Sequence, residues 1–330
     1  MTTPLPLGLA PYISPTTLIT APTGIDWSTI GEPTAEPTPA QNMAEIWNMC
    51  GRATSRVDGY VNQTLRATAD VELVHGPDYR ITVGPASGGS YPTPWWGNSA
   101  PQNARIILSR WPVLEVTGVK TCPNSVWPRT WTSLPAGYFE PEVPPIGIYG
   151  SVAPGGSAEG GQAILVGGGY INWSLGRNGW AAEVSYLNGY PHCSLTAAVE
   201  AGASTISVND CTAWAITNYY GTFTGATGRV VDSGQQEAVH VTATSATAGP
   251  GTLTLSSPLN YPHEAGVLVT TMPASVEQAC IYFATAEALT RGATSTTIHA
   301  VGGAAQSSDK GAEDLIAEGE LLLHAYRRSI

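Results

Sequence analysis

A strand that lacks its expected helix constrains this chain more than any other feature. Trp180-Ala-Ala-Glu-Val-Ser-Tyr-Leu-Asn-Gly-Tyr-Pro191 reads as a strand closed by a turn. The logical continuation is a helix. The next helix signal, Met272-Pro273-Ala-Ser-Val-Glu-Gln-Ala279, comes only at 272. Between the two lies a stretch rich in Gly, Thr, Ser and Val. Its segments Ser204–Val208, Glu237–Thr242 and Thr252–Leu255 alternate apolar and polar residues, and turns fall at Asp232–Gly234 and Ala248–Gly251. The expected organisation is a host domain interrupted by a guest. Residues 1–38 form an extended arm, 39–193 the first part of the host, 194–271 an inserted all-β sandwich or barrel, and 272–330 the host's C-terminal helices. For the insertion to work, Leu195–Val199 and Val267–Thr271 must be neighbours.

The length of 330 residues suits about two domains. Charged residues make up 12% of the chain, against a usual share of about 25%. A surface so poor in charge suits extensive contacts, as in an assembly subunit, and is also compatible with an ordinary β-rich protein. The net charge is −11 and the only lysines are Lys120 and Lys310. Tight nucleic-acid binding through phosphate neutralisation is therefore not expected. An acidic wall past which DNA slides remains compatible with this charge. Cysteines 50, 122, 193, 211 and 280 show no metal-binding spacing. Cys50 and Cys280 sit on apolar helical stripes and read as buried thiols, whereas Cys193 and Cys211 are left open as a pair. The N-terminal Met-Thr-Thr-Pro-Leu-Pro-Leu-Gly does not read as a secretory signal. No apolar run reaches the roughly 18 residues of a membrane span, so use in a cytosol is expected.

Prolines at 4, 6, 11, 15, 22, 33, 37 and 39 predict an extended arm without a helix. Its apolar residues, Tyr12, Ile13, Leu18, Ile25 and Trp27 among them, fit either a neighbouring subunit or the arm's own domain. Thr38-Pro39-Ala-Gln41 opens a helix predicted to run to Ala67, with a stripe through Ile46, Cys50, Ala53 and Val57. Val71–Val74 and Tyr79–Val83 predict one hairpin, and Ala104–Arg110 with Val113–Lys120 a second strand pair. Gln162–Val166 and Tyr170–Ser174 are short strands. After the guest, Ser275 is placed to cap a helix over 273–291. A last helix runs from Asp309 to about Arg328, with acidic residues at its start and Arg327 and Arg328 at its end.

Catalytic patterns are absent from the sequence. No phosphate-binding Gly-rich loop or G-x-S-x-G occurs, and His263-Glu264 lacks the second histidine of a zinc protease helix. Glu140 and Glu142, near Trp127, Trp131 and Tyr138, suggest the carboxylate pair of a glycosidase. Two residues apart on an extended loop, they read as solvated side chains rather than as a catalytic pair. No enzyme activity, cofactor or metal is expected.

Taken together, several host motifs carry a resemblance. They are the capped helix 39–67, Ile-Ile-Leu-Ser-Arg-Trp-Pro-Val-Leu-Glu-Val-Thr-Gly-Val-Lys, Glu-Val-Ser-Tyr-Leu-Asn-Gly-Tyr-Pro, Pro-Ala-Ser-Val-Glu-Gln-Ala and a final helix closing Tyr-Arg-Arg. This order resembles the head–tail connector (adaptor) proteins of tailed double-stranded DNA bacteriophages, over most of 40–190 and 272–330. The resemblance implies an α+β fold: a helical adaptor host with β-hairpins, interrupted by the small all-β insertion. It implies a self-assembled ring of about twelve subunits beneath the portal protein, at the virion neck, assembled in the host cytoplasm. Such a ring extends the DNA channel without sequence-specific binding and receives a neck, stopper or tail-completion protein. The implied portal contact is the C-terminal segment: Leu322, Leu323, Tyr326, Arg327, Arg328 and Ile330. The long arm, the Trp-rich loops and the insertion depart from the family pattern. Rival readings are a carbohydrate-binding protein and a tail or receptor-binding component.

Overall fold

A computed structural model describes residues 10–30, 39–76, 104–123, 128–135, 139–141, 163–166, 180–216, 225–232, 234–291 and 311–327. The chain divides into two compact units, one from 1–65, 191–215 and 226–329, the other from 66–190, 216–225 and 330.

In the first unit α1 (Pro15–Thr20) is a short helix. The prolines were expected to deny a helix here. Pro15 sits at the first helical position, where its missing N–H costs nothing, and Ser14 Oγ accepts from the Thr17 N–H at 3.1 Å. Tyr12, Ile13 and Leu18 are fully buried, and α1 packs on α2 (Pro39–Val61). Two bonds fix Tyr12 to α2, N–H to Thr54 Oγ1 at 2.9 Å and hydroxyl to Asp58 Oδ1 at 2.5 Å. The described part of the arm thus lies on its own unit. Ile46, Met49, Cys50, Ala53, Val57 and Val61 form the buried face of α2. The helix stops at Asn62, whose φ of 56° is left-handed, rather than at Ala67.

Also in this unit are β8 (His192–Ser194), β9 (Thr205–Val208), β10 (Thr227–Val231), β11 (Glu237–Thr244), β12 (Gly251–Leu255) and β13 (Leu268–Thr270). They form one antiparallel sheet in the order β8-β13-β10-β11-β12-β9. The sheet curls so that its edges meet. Leu195, after β8, bridges Val208 of β9, and the Thr196 N–H donates to Ser207 O at 3.0 Å. Alternation sends Ile206, Val208, Val239, Val241 and Leu253 inward, and Trp214 is fully buried. Gly228 makes room for that indole: a Cβ there would lie 2.9 Å from Trp214 Cη2 and 2.8 Å from Thr270 O. The two ends of the 194–271 stretch are side by side, in the same compact unit as the helices. The Leu195 N–H donates to Val267 O at 2.8 Å, and the Thr271 N–H to Pro191 O at 2.9 Å. His192 ties the arm to this point, with Nε2 2.9 Å from Pro11 O and Nδ1 2.9 Å from Thr270 Oγ1. All five cysteines are free and buried, Cys193 and Cys211 included.

The second unit is a β structure, and here the expectation of a helical adaptor host fails. β1 (Thr68–Gly76), β7 (Trp180–Asn188), β3 (Val113–Pro123) and β4 (Thr132–Ser133) form a sheet in that order. β2 (Ala104–Ile107), β6 (Ala163–Val166) and β5 (Phe139–Pro141) form another. The described chain as a whole is mostly β, and the longer helices, α2, α3 (Ala274–Thr290) and α4 (Ala312–Leu323), belong to the other unit. The 104–110 and 113–120 segments do not pair with each other. β2 pairs with β6, and β3 with β7. β7 is fully flanked, by β1 from Thr68↔Asn188 to Gly76↔Trp180 and by β3 on its other edge. Such long-range pairing buries Val119, Val184 and Tyr186 with Ile106, Leu108 and Leu134, which a local hairpin would not achieve. The strands expected at 79–83 and 170–174 lie outside the described residues.

Candidate functional site

The C-terminal helices, where the sequence places its interface candidates, are α3 (Ala274–Thr290) and α4 (Ala312–Leu323), followed by a 3-10 turn over His324–Tyr326. Ser275 does not cap α3; Pro273 precedes the helix without a side-chain cap. The Ser275 hydroxyl instead meets the Tyr326 hydroxyl at 2.9 Å. At the start of α4, Asp314 accepts from the Gly311 N–H at 3.2 Å.

α3 and α4 approach closely at Gly319. A Cβ there would lie 2.6 Å from Phe283 Cε1, so any larger residue would have to displace the ring. The other face of the contact is sealed by Arg56, whose guanidinium lies 4.8 Å from the Phe283 ring centre. Leu315 and Leu323 are buried in this packing. Glu45 and Arg52 of α2, Glu287 of α3 and Arg291 just after it form a closed square. Arg52 Nη2 lies 2.8 Å from Glu45 and its Nε 2.6 Å from Glu287. Arg291 contacts the same two carboxylates. Burial acts to raise the Glu45 carboxyl, but Arg52, Asn48 and Arg291 donating to it hold it below its ordinary range.

The interface candidates separate on this frame. Leu323 is fully buried, Leu322 is half-buried, and Tyr326 is half-buried with its carbonyl accepting from Gln63 Nε2 at 3.3 Å. Arg327 is exposed, with its guanidinium 5.6 Å from the Tyr60 ring centre. Arg328 and Ile330 lie outside the described residues. The residue that faces solvent is one that sequence reasoning passed over: Leu321, 75% exposed. Ala317 and Ala325, four residues to either side, are exposed as well. Elsewhere, in the second unit, edge strand β1 exposes Val71 and Leu73.

The glycosidase-like carboxylates lie largely beyond reach. Glu142, Trp127 and Tyr138 are outside the described residues, and Glu140 belongs to β5. Among the described residues no group of three or more His, Cys, Asp or Glu could hold a metal ion, and no helix is long and apolar enough to cross a membrane. No family model, curated protein or solved structure matches the chain.

Proposed function

We propose that the chain is a virion structural protein of a tailed bacteriophage: a head-to-tail adaptor that assembles as a ring, docks on the portal protein and receives a neck or tail-completion protein. The order of host motifs in the sequence supports this reading, and so does the scarcity of charge. The observation that carries it is Leu321. A large apolar side chain, 75% exposed, stands on a helix whose following turn is pinned by Ser275 and Gln63. A rigid element presenting an apolar anchor is what a protein–protein contact needs. In this reading the docking surface centres on Leu321, while Leu323 and Tyr326 serve the protein's own packing.

Two experiments test this. Antibody labelling of virions is expected at the neck, between head and tail. Label at the tail tip would replace the adaptor reading with receptor binding. Leu321→Asp, on a solvent-facing position, is expected to leave the chain folded and to prevent the joining of filled heads to tails. Normal yields of infectious particles from that variant would sink the docking surface.

A further inference from the structure

Three segments of the first unit meet at one imidazole. β10 leads into Asp232, β11 begins with Glu237, and the segment after β12 brings His263 between them. The His263 side chain is 0% exposed, Asp232 20% and Glu237 6%. Nδ1 lies 2.9 Å from Asp232 Oδ2 and Nε2 2.9 Å from Glu237 Oε1. Glu237 also accepts from the Asn260 N–H at 2.8 Å, from Asn260 Nδ2 at 2.9 Å and from the Tyr261 N–H at 3.2 Å. The His263 backbone is fixed in turn, donating to Val199 O at 2.9 Å and accepting from the Val199 N–H at 2.8 Å.

A neutral imidazole carries one N–H and one lone pair, while an ionised carboxylate only accepts. A neutral ring can therefore satisfy one of these carboxylates and not both. The second contact would set a lone pair against an anion inside the protein. One additional proton on the ring satisfies both contacts, because each ring nitrogen then donates to one carboxylate. Among the described residues no lysine or arginine contacts these side chains. The charged groups facing the ring are Asp232 from the end of β10 and Glu237 from β11. Glu200 and Glu264, beside Val199 and His263 in the chain, are exposed to solvent.

The geometry points to a proton-operated latch, in which the shared proton ties the β10–β11 turn to the 256–264 segment and its loss frees that turn. A neutral ring keeps the better-buried partner, Glu237, and the more exposed Asp232 turns to water. Burial acts to raise the Glu237 carboxyl, but donation by Asn260, His263 and Tyr261 outweighs it and holds the group below the ordinary carboxylate range. Mild acid therefore leaves the latch shut, and it opens on the alkaline side.

Asp232→Asn separates the latch from mere packing. An amide can donate to Nδ1 while a neutral ring donates to Glu237, so this variant stays shut without the shared proton. The test follows the His263 ring nitrogens by NMR in the full chain, with hydrogen exchange at the Gln235 amide, whose N–H donates to Asp232 O at 3.3 Å, corrected for intrinsic base catalysis. The titration runs from about pH 5 to about pH 9, where imidazole protons are lost. In the parent chain both ring nitrogens should be protonated at the acid end. Loss of one proton should lower protection at Gln235 by about tenfold, the scale of one unsatisfied buried polar contact. Asp232→Asn should stay protected throughout. If that variant does not fold, Glu237→Gln removes the shared proton by the same logic. A ring holding one proton across the whole range would overturn the proposal, as would the same loss of protection in the variant.

Discussion

Gly319 and Gly59 offer the same substitution in two helices with opposite expected signs. Alanine in place of glycine inside a helix gains about 1 kcal/mol from propensity alone. At Gly59, on the exposed side of α2, an added Cβ meets nothing within 4 Å, so Gly59→Ala should stabilise by about that amount. At Gly319 the added Cβ would lie 2.6, 3.1 and 3.1 Å from three atoms of the Phe283 ring. The ring is buried and backed by Arg56, so it cannot swing aside without loss. Overpacking of this kind costs about 1–3 kcal/mol. Offset by the same propensity gain of about 1 kcal/mol, Gly319→Ala should come out between neutral and about 2 kcal/mol destabilising. The two variants should therefore differ by about 1–3 kcal/mol, a spread of several degrees in Tm. Denaturant melts of both, followed by native-state hydrogen exchange of α3 amides, measure it. Phe283→Leu, which removes the opposing ring, should recover much of the Gly319→Ala loss. If Gly319→Ala stabilises as much as Gly59→Ala, the close approach of α3 and α4 is wrong.

Other outcomes follow from the same packing. Gly228→Ala drives a Cβ against Thr270 O and the Trp214 ring, and should destabilise the barrel by about 1–3 kcal/mol, read as a shift in Trp fluorescence unfolding. The square of Glu45, Arg52, Glu287 and Arg291 is partly exposed, so a double-mutant cycle between Arg52→Ala and Glu287→Ala should give only about 0.2–1 kcal/mol, shrinking with added salt. Glu237 is held below its ordinary range in the fold. The stability it adds is therefore present above the unfolded carboxylate range and is lost as pH falls through the folded value. Glu237→Gln should flatten the acid limb of a stability-against-pH curve. Burial pushes the Cys50 thiol up to about 12 and raises Cys193 and Cys280 as well, so iodoacetamide at neutral pH should label these three only after denaturation.

What the sequence made legible is what depends on neighbours in the chain. The buried stripe of α2 and the alternation of β9, β11 and β12 follow from period alone, and the nearness of residues 195 and 267 was expected from the seam. The helical host was misjudged because a strand's period names its faces and not its partner. β3 found β7, far along the chain, instead of the local segment beside it. Ser275 fits a cap by spacing, yet its hydroxyl is taken by Tyr326, which no local pattern reports. The run Glu320-Leu-Leu-Leu323 shows the limit for the interface. Successive helical residues turn by about 100°, so Leu321 and Leu323 point to opposite environments while their letters are identical. Asp232, Glu237 and His263 were invisible for the same reason as β3 and β7. Only the barrel brings them together. The charge square left a fainter trace, since Glu287 and Arg291 stand four apart at the end of α3.

The adjoining ends of the insertion also decide how it bears tension. The chain enters at Pro191 and leaves at Thr271, with β8 and β13 antiparallel between them. A pull that separates these two points meets the short ladder from its open end and breaks its bonds one after another, not together. Under such a pull this ladder opens by unzipping rather than by shear. Once opened, the released chain would pay out slack at roughly 3.5 Å per residue.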